Sequence, residues 1–459
     1  MSSPPPRSMS LAAAVAAALL ALPAAASAAD YPPPSNPGAT QSRPKGPFRT
    51  LTVCAPKGRK AKGCFRTIQR AVDKARAGDS VRLPNGTYRQ SVRIVGARKR
   101  YLRLVGNTRR PGKVVLDGRT LKGGPKQNGV LVNGADEVTV KGITAQNFSG
   151  NGFFVVNATG YTLTRLQAFK TGVYGVYAFN SKGGTMSDSV AAWNNDAGFY
   201  IGQTPPQTKP IRSFVRNVVA YGNVIGFSGT NMRYVTITKS KWFNNGLGIV
   251  PNALDSEKFA PPEDNEIVGN EIFWNNFNYF KGAPFPLRQG ATGDIPYPVG
   301  VGVMLFGGRR TRVTGNRIYG NYLVGVAAFE QILLKQQDAK DLVGNQVTGN
   351  DFGLGGEDLN GRDLAFDGSG RDNCFAPNTM RSPTLPEDGS TLAACPFSGT
   401  NAFSQSARET ALQWALAGGP NNPDGAEANW LRHPHRPRAG YTPLEHYVRG
   451  RTAMRQPGP

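Results

Sequence analysis

The chain has 459 residues, 56 of them glycine, and a formal net charge of +24. No apolar run reaches the roughly 20 residues that a membrane-spanning helix needs, so no membrane span is expected. The positive charge favours a polyanionic partner. No dense basic run and no nucleic-acid-binding motif occur, so nucleic acid is not the expected polyanion.

Residues 1–28 have the pattern of a signal peptide. Arg7 supplies the positive charge, residues 11–22 form the apolar segment, and residues 26–28 read Ala-Ser-Ala, a small-residue cleavage site. Residues 29–50 are rich in proline and predict a flexible linker. We therefore expect a secreted, monomeric protein that is extracellular or associated with the cell wall.

The exported chain keeps four cysteines, an even number that favours disulfides outside the cytoplasm. Four cysteines allow three pairings. Because the cysteines form two local pairs at the two ends of the repeating region, we expect Cys54 to bond Cys64 and Cys374 to bond Cys395. Neither pair has zinc-site spacing, and no histidine lies near them.

Residues 65–75 predict an amphipathic helix, with apolar residues at positions 65, 68, 72 and 75. Gly78 is expected to end it. Two predicted strands follow, so the helix is positioned to cover the open end of a β-structure, where unpaired backbone and apolar core would otherwise meet water.

The main signal is a repeat in which a glycine precedes a short apolar strand. Successive glycines are separated by 23, 23, 23, 28, 22, 54, 23 and 28 residues. A second, alternating strand follows in each unit, and a period near 23 residues is typical of one coil of a parallel β-solenoid. The aligned glycines are Gly129, Gly152, Gly175, Gly198, Gly226, Gly248, Gly302, Gly325 and Gly353.

Asparagine recurs shortly before the next glycine. Equivalent side-chain amides on stacked coils can bond to one another, and buried amides must be paired, so we expect internal ladders and not catalytic groups. The asparagines with this spacing are Asn147, Asn194, Asn195, Asn223, Asn245, Asn321 and Asn350.

The run CFRTIQRAVDKARAGDSVRLPNGTYRQSV and the glycine-led coils that follow it resemble the right-handed parallel β-helix superfamily, the pectate-lyase-like fold, of the secreted bacterial type. The resemblance covers about residues 64–380. It implies an all-β, single-stranded solenoid with an N-terminal capping helix over residues 51–380. Residues 381–459 are then an irregular or capping tail, with a short helix at 406–416. The fold hosts lyases, hydrolases, epimerases and non-enzymatic adhesins, so it does not decide function.

Coils longer than the basic repeat must extrude their extra residues as loops, because the coil cross-section is fixed. The predicted loops are 203–210, 251–264, 277–299 and 329–341. Three of them, 203–210, 251–264 and 329–341, leave the solenoid directly after the glycine-led strand. We expect them to lie on one edge as walls with gaps between them, forming a groove for an extended polymer.

The charged residues of these loops predict a site for an acidic polysaccharide or cell-wall polymer. A lyase would need a base and a cation that neutralises the sugar carboxylate, whereas a hydrolase would use two carboxylates. The base would be Lys258 or Arg288, and the paired carboxylates Glu257 and Glu330. Ca²⁺, if used, would bind Asp255, Glu257 and Asp264. Substrate contacts are assigned to Gln203, Lys281 and Asp358.

The rival hypothesis is a non-catalytic surface or wall-binding solenoid, whose loops bind a partner without chemistry. The three histidines, His433, His435 and His446, all lie in the C-terminal tail, so no Ser-His-Asp or Cys-His site can form in the solenoid. The His-Pro-His run at 433–435 is the one place where copper could bind, and a spacer role is the simpler reading.

Overall fold

The computed structural model describes residues 42–431 except 58–61, 120–127, 282–296, 333, 336 and 420. The predicted signal peptide and the histidines lie outside these residues. Helices occupy Ile68–Lys74, Gln337–Lys340, Gln405–Ala417 and Gly425–Ala428, and 3₁₀ turns occupy Ala97–Lys99, Pro111–Lys113 and Tyr279–Lys281. No helix among the described residues has the length and apolarity to cross a membrane.

Three long parallel sheets run the length of the molecule, and every coil contributes one strand to each. Sheet A contains Val92–Val95, Val130–Asn133, Phe153–Val156, Val176–Phe179, Ala197–Gly202, Ile225–Thr230, Leu247–Asn252, Val301–Phe306, Val324–Phe329 and Leu364–Phe366. Sheet B contains Thr50–Thr52, Ser80–Arg82, Arg103–Val105, Val138–Lys141, Thr159–Thr164, Lys182–Ser187, Ser213–Arg216, Val235–Thr238, Glu266–Val268, Arg312–Thr314 and Gln346–Thr348. Sheet C contains Gly86–Tyr88, Val114–Asp117, Thr144–Gln146, Gln167–Phe169, Val190–Ala192, Val219–Tyr221, Lys241–Phe243, Glu271–Phe273, Arg317–Tyr319 and Asp351–Phe352. A small parallel pair, Gly308–Arg309 with Leu342–Val343, completes the strands.

The chain passes from sheet A to sheet B to sheet C and then rises to the next coil. Phe153 of sheet A pairs with Val176 one coil on, and Leu163 of sheet B pairs with Met186, so successive coils stack in register. The predicted all-β, right-handed parallel β-helix is confirmed. Side chains that point into the coil, such as Phe199 and Trp242, form one continuous apolar core along the solenoid axis.

The glycine repeat forms a column at the corner where sheet A begins. A Cβ atom at Gly129, or at each aligned glycine through Gly302, would lie 2.3–3.0 Å from the carbonyl oxygen of the next glycine. No larger residue fits without displacing the coil above. Gly353 was aligned wrongly, because it follows a sheet C strand with a positive φ of 72°, and the carbonyl of Asp363 covers Gly325 instead.

The predicted asparagine ladder lies beside this column. The Asn223 amide donates to Asn245 at 2.9 Å, and Asn245 donates to Asn275 at 3.1 Å. Asn194, Asn275, Asn321 and Asn360 extend this ladder, whereas Asn350 belongs to a second ladder with Asn316 and Asn378. Asn147 and Asn195 belong to neither ladder, and bond instead to Asp117 and to the backbone of Gly172.

A helix covers the N-terminal end of the solenoid, a disulfide lies near each end, and a second helix packs on one face. Ile68–Lys74 carries the buried Ile68 and Val72 and packs at the first coils, as predicted, but it begins three residues later than predicted and ends at its cap Ala75 instead of at Gly78. The two expected disulfides, Cys54–Cys64 and Cys374–Cys395, are formed. Gln405–Ala417, predicted at 406–416, packs against the outer face of sheet A through the buried Trp414.

The three predicted loops do leave from one edge, the turns between sheets A and B. They follow the strands that end at Gly202, Asn252 and Phe329. The expectation of open gaps between them is wrong, because the middle loop is bonded to both neighbours. The Lys258 backbone donates to the Gln203 side chain at 2.9 Å, and the Lys335 backbone donates to Asp255 at 3.1 Å. The loops form a continuous ridge and not a groove.

Candidate functional site

The middle loop, residues 253–265, folds back across two coils and carries Glu257 to sheet A. The Asn231 amide holds the loop by donating to the carbonyls of Leu254 and Glu257, both at 2.8 Å. The buried Arg233 guanidinium pairs with Glu263 at 2.6 Å and adds a second anchor. The loop is therefore a fixed support for Glu257.

Glu257 accepts a hydrogen bond from the hydroxyl of Tyr200, which points outward from sheet A. Burial, opposed by the hydrogen bonds of Tyr200 and the Gln203 backbone and reinforced by the charge of Asp196, raises the pKa of Glu257 to about 8. Burial and the neighbouring Glu257 also raise the pKa of Tyr200 well above 10.0. At neutral pH the pair is therefore uncharged, and both groups hold protons.

Several buried polar atoms around this pair have no hydrogen-bond partner among the described residues. Glu257 Oε2, Gln203 Nε2 and Asn252 Oδ1 are all in this state. Gln203 is 0% and Asn252 1% exposed. Buried polar atoms are nearly always paired, so a cluster of unpaired ones indicates a place where a ligand or water completes the bonding.

A half-buried aromatic surface adjoins the pair on the outer face of sheet A. Phe154 and Tyr177 stack with ring centroids 4.3 Å apart and an interplanar angle of 4°. Tyr200 meets Tyr177 edge-on at 4.9 Å and Tyr174 at 4.5 Å. The outward columns pair Phe154 with Tyr177 and Tyr177 with Tyr200, so the rings follow the solenoid axis towards Glu257.

The three proposed calcium ligands do not meet. Asp264 is bound by the Arg310 guanidinium at 2.7 and 2.9 Å, Glu257 by Tyr200, and Asp255 by the Lys335 backbone. Among the described residues no group of three His, Cys, Asp or Glu side chains could hold a metal ion. The described residues therefore do not form the predicted calcium site.

The hydrolase pair is also separated. Tyr200, which holds Glu257, and Glu330 are four strand spacings apart along sheet A, about 19 Å. Glu330 is paired with Arg408 at 2.9 Å and so belongs to the packing of the C-terminal helix. Two carboxylates at this separation cannot act on one glycosidic bond.

The remaining predicted site residues do not all lie near Glu257. Lys258 is exposed beside Glu257, and Arg288 lies outside the described residues. Lys281 pairs with Asp424 at 2.8 Å and Glu427 at 2.7 Å, which ties down the C-terminal segment. Asp358 accepts from the indole of Trp274 and is buried. Of the predicted site residues, only Glu257, Lys258 and Gln203 come together.

The aromatic surface formed by Phe154, Tyr177 and Tyr200 was not predicted from the sequence. Their signal was present, because Phe154, Tyr177 and Tyr200 occupy one column of the repeat, two residues after Gly152, Gly175 and Gly198. Side chains of a strand alternate between its faces, so this column points outward. Large apolar side chains on an outward column indicate a binding surface or a covered face.

A family model described as "Periplasmic copper-binding protein (NosD)" matches residues 98–284, less than half of the chain. The described residues do not fit a copper site, because all four cysteines are in disulfides and the histidines lie outside the described residues. No curated protein matches the sequence. The two disulfides, with the periplasmic family description, indicate a periplasmic or extracellular location.

Solved structures show distant likenesses. The Azotobacter vinelandii mannuronan C-5 epimerase AlgE6 A-module has 17% identity and a TM-score of 0.46 over 69% of this chain and 90% of that one. Pectate lyase Pel9A has 16% identity and a TM-score of 0.40 over 76% and 82%. The alginate lyase from Paenibacillus sp. str. FPU-7 has 13% identity and a TM-score of 0.33 over 66% and 94%.

These likenesses are too distant to assign an activity. The stacked sheets and the matched segment do agree on the architecture. The chain has the right-handed parallel β-helix fold.

Proposed function

We propose that the protein binds an acidic polysaccharide along the aromatic surface of sheet A and acts on it as a lyase at Glu257. The observation that carries this proposal is the Glu257 carboxyl group. It is held by a fixed loop and by Tyr200, and its Oε2 atom has no partner among the described residues. It adjoins the stacked rings of Phe154 and Tyr177.

Binding of a sugar polymer suits this surface. Flat aromatic rings pack against the apolar faces of sugar rings, and sites of this kind combine such rings with a few placed polar groups. The rings follow the solenoid axis, which fits an extended chain. The formal net charge of +24 favours an acidic polymer over a neutral one.

The chemistry proposed is β-elimination. A base must remove the proton next to the uronate carboxylate, and the negative charge that develops there must be stabilised. A protonated Glu257 donates a hydrogen bond to that carboxylate and so neutralises it without a metal ion. Lys258 is the proposed base, as predicted from the sequence. Its amine takes the C5 proton, a double bond forms between C4 and C5, and the C4–O glycosidic bond breaks, with the leaving oxygen taking a proton from water. Glu257 is then the charge-stabilising residue, and Tyr200 positions it.

The test is incubation with a panel of uronans, following the ultraviolet absorbance of unsaturated ends and, separately, retention of the polymer. Glu257→Leu, which keeps a side chain of similar size but has no hydrogen-bond donor, should lose product formation by at least tenfold and keep retention. Tyr177→Ala should lose both. Phe214→Ala removes an exposed ring on sheet B, 39% accessible, and should change neither. Unchanged turnover in Glu257→Leu would refute the catalytic assignment.

The second candidate is a non-catalytic wall-binding protein. It is favoured by the ion pairs that fix the loop, since Arg233 and Arg310 both bind Glu263 and Arg310 also binds Asp264. In that case no uronan gives product, and retention still depends on Tyr177. If Tyr177→Ala retains every polymer as well as the wild type does, both candidates fail.

A further inference from the structure

The turns between sheets B and C are short along nearly the whole described solenoid. Turns such as 142–143, 165–166 and 188–189 have two residues. Residues 106–113 are the exception, since they separate the strands that end at Val105 and begin at Val114. Because the coil itself needs only two residues here, the additional residues are an insertion, and they lie on a different edge from the Glu257 loop.

The insertion concentrates positive charge around one cavity. A cavity of about 270 Å³ is lined by Asn85, Asn107, Arg109, Arg110 and Lys113. No carboxylate is among these residues. The side chains of Arg109, Arg110 and Lys113 form no ion pair or hydrogen bond with any residue that the structure describes. By contrast, Arg233 and Arg310, which lie next to the Glu257 loop, are both paired with Glu263 of that loop.

The turn is held in shape independently of the three cations. Asn107 Oδ1 accepts hydrogen bonds from the backbone of Arg109 at 3.2 Å and of Arg110 at 2.9 Å. The Asn107 amide donates to Asn85 at 3.0 Å, which ties the turn to the coil below. The Arg165 guanidinium donates to the Thr108 carbonyl at 3.3 Å and ties it to the coils above. The backbone is therefore fixed while the three cationic groups stay available.

Like charges gather around this edge. Burial and the nearby Arg103 and Arg165 lower the pKa of Lys141, which lies on the adjoining face of sheet B. Concentrating unpaired cations costs stability through mutual repulsion, and an anion removes that cost. Arginine forks match the oxygens of a tetrahedral anion in two parallel hydrogen bonds.

We propose that the turn 106–113 is a binding site for a phosphate or sulfate group, held by Arg109, Arg110 and Lys113. The cavity volume accommodates one such group together with part of the sugar that bears it. A phosphorylated wall polymer and a sulfated polysaccharide share this chemistry. The site is separate from the aromatic surface and does not depend on the function proposed there.

The test is calorimetric titration of the full protein with inorganic phosphate, inorganic sulfate and glucuronate at constant ionic strength. Saturable binding of phosphate or sulfate is expected, and the preferred anion identifies the source. The triple variant Arg109→Gln, Arg110→Gln, Lys113→Gln should weaken it at least tenfold. Arg109→Lys with Arg110→Lys keeps the charge but loses the forks, and should weaken it by a smaller factor.

The matched control is the triple variant Arg89→Gln, Arg93→Gln, Arg98→Gln, which removes the same charge from exposed positions on neighbouring coils. It should bind as the wild type does. Equal weakening in both triple variants would mean that net charge alone attracts the anion, and would overturn the proposal. Absence of saturable binding, or binding of glucuronate as tight as that of the better tetrahedral anion, would overturn it too. Circular dichroism confirms that each variant is folded.

Discussion

The outer face of sheet A has two halves that differ in whether other parts of the chain cover them. From Val301–Phe306 onward its apolar side chains, such as Val301 and Met304, are buried under Tyr279, Tyr297 and the C-terminal helix. From Phe153–Val156 to Ala197–Gly202 the same face carries the half-buried rings of Phe154 and Tyr177, in the column that leads to the buried Tyr200 and to Glu257. The same strand geometry therefore carries a packing surface at one end and a candidate binding surface at the other.

The two halves also differ in how well their buried polar atoms are paired. Among the described residues, Gln203 Nε2 and Glu257 Oε2 lack partners, and they belong to the turn after Ala197–Gly202 and to the loop bonded to it. Natural proteins pair buried polar atoms except where function requires otherwise. The uncovered half is thus less stable locally than its packing would allow, which is the usual condition of a site.

Weakening the contact between the C-terminal helix and sheet A should have the largest effect on stability. Trp414 is 5% exposed and packs the C-terminal helix onto sheet A. We expect Trp414→Ala to lower the free energy of unfolding by about 3–5 kcal/mol, through lost burial and the cavity left behind. Urea unfolding measures this. Leu416→Ala on the same helix, 51% exposed, is the control and should change stability by less than about 0.5 kcal/mol. Equal effects would mean that this helix does not cover the sheet.

Glu257 should make stability depend on pH. Its pKa is raised from 4.5 to about 8 in the folded protein, so the folded chain holds a proton that the unfolded chain has already released between these values. The stabilisation is complete below pH 4.5 and is lost as the pH rises through 8. We expect the free energy of unfolding to fall by about 2 kcal/mol more in the wild type than in Glu257→Gln across this window, allowing for the partial exposure of the residue. Identical pH profiles would contradict the buried, protonated carboxyl.

Lys182, on the sheet B strand that follows Val176–Phe179, offers a gain in stability from the same coils. The residue is 0% exposed, its amine has no partner among the residues that the structure describes, and burial lowers its pKa below 10.5. The unfolded chain therefore binds the proton more tightly, and stability rises with pH towards 10.5. We expect Lys182→Met to raise the free energy of unfolding at pH 7 by about 1 kcal/mol and to flatten this rise. Lys239→Met, at an exposed position, should do neither. A destabilised Lys182→Met would show that the amine has a bonded role.

The parts that the sequence predicted are those that recur in every coil. Gly175 and Gly198 each face the carbonyl oxygen of the next aligned glycine, and Asn223 and Asn245 each donate to the next asparagine. The same steric or hydrogen-bonding requirement therefore recurs in coil after coil and is visible as a repeat in the sequence. Gly353 was wrongly assigned to the glycine column because the glycine there serves a turn with positive φ after a sheet C strand.

The site could not be predicted in this way because it depends on single, long-range contacts. Nothing near Glu257 in sequence indicates that Tyr200, 57 residues earlier, would hold it. Lys281 and Glu427 are separated by 146 residues, and their pairing turns a predicted substrate contact into a structural ion pair. Which loop charges are paired is decided by how the loops fold back, and loop composition does not specify that.

The smallest effect on stability should come from the uncovered rings. Phe154 is half-buried and stacks on Tyr177 with ring centroids 4.3 Å apart. Among the described residues, no helix covers Phe154 as the C-terminal helix covers the other half of the face. We expect Phe154→Leu to lower the free energy of unfolding by only about 0.5 kcal/mol, because the leucine keeps most of the apolar contact and loses the ring stacking. Retention of a uronan should nevertheless fall at least fivefold, because the flat ring is what a sugar would pack against. A stability loss as large as that of Trp414→Ala, with retention unchanged, would mean that both halves of the face serve packing, and the contrast between them would disappear.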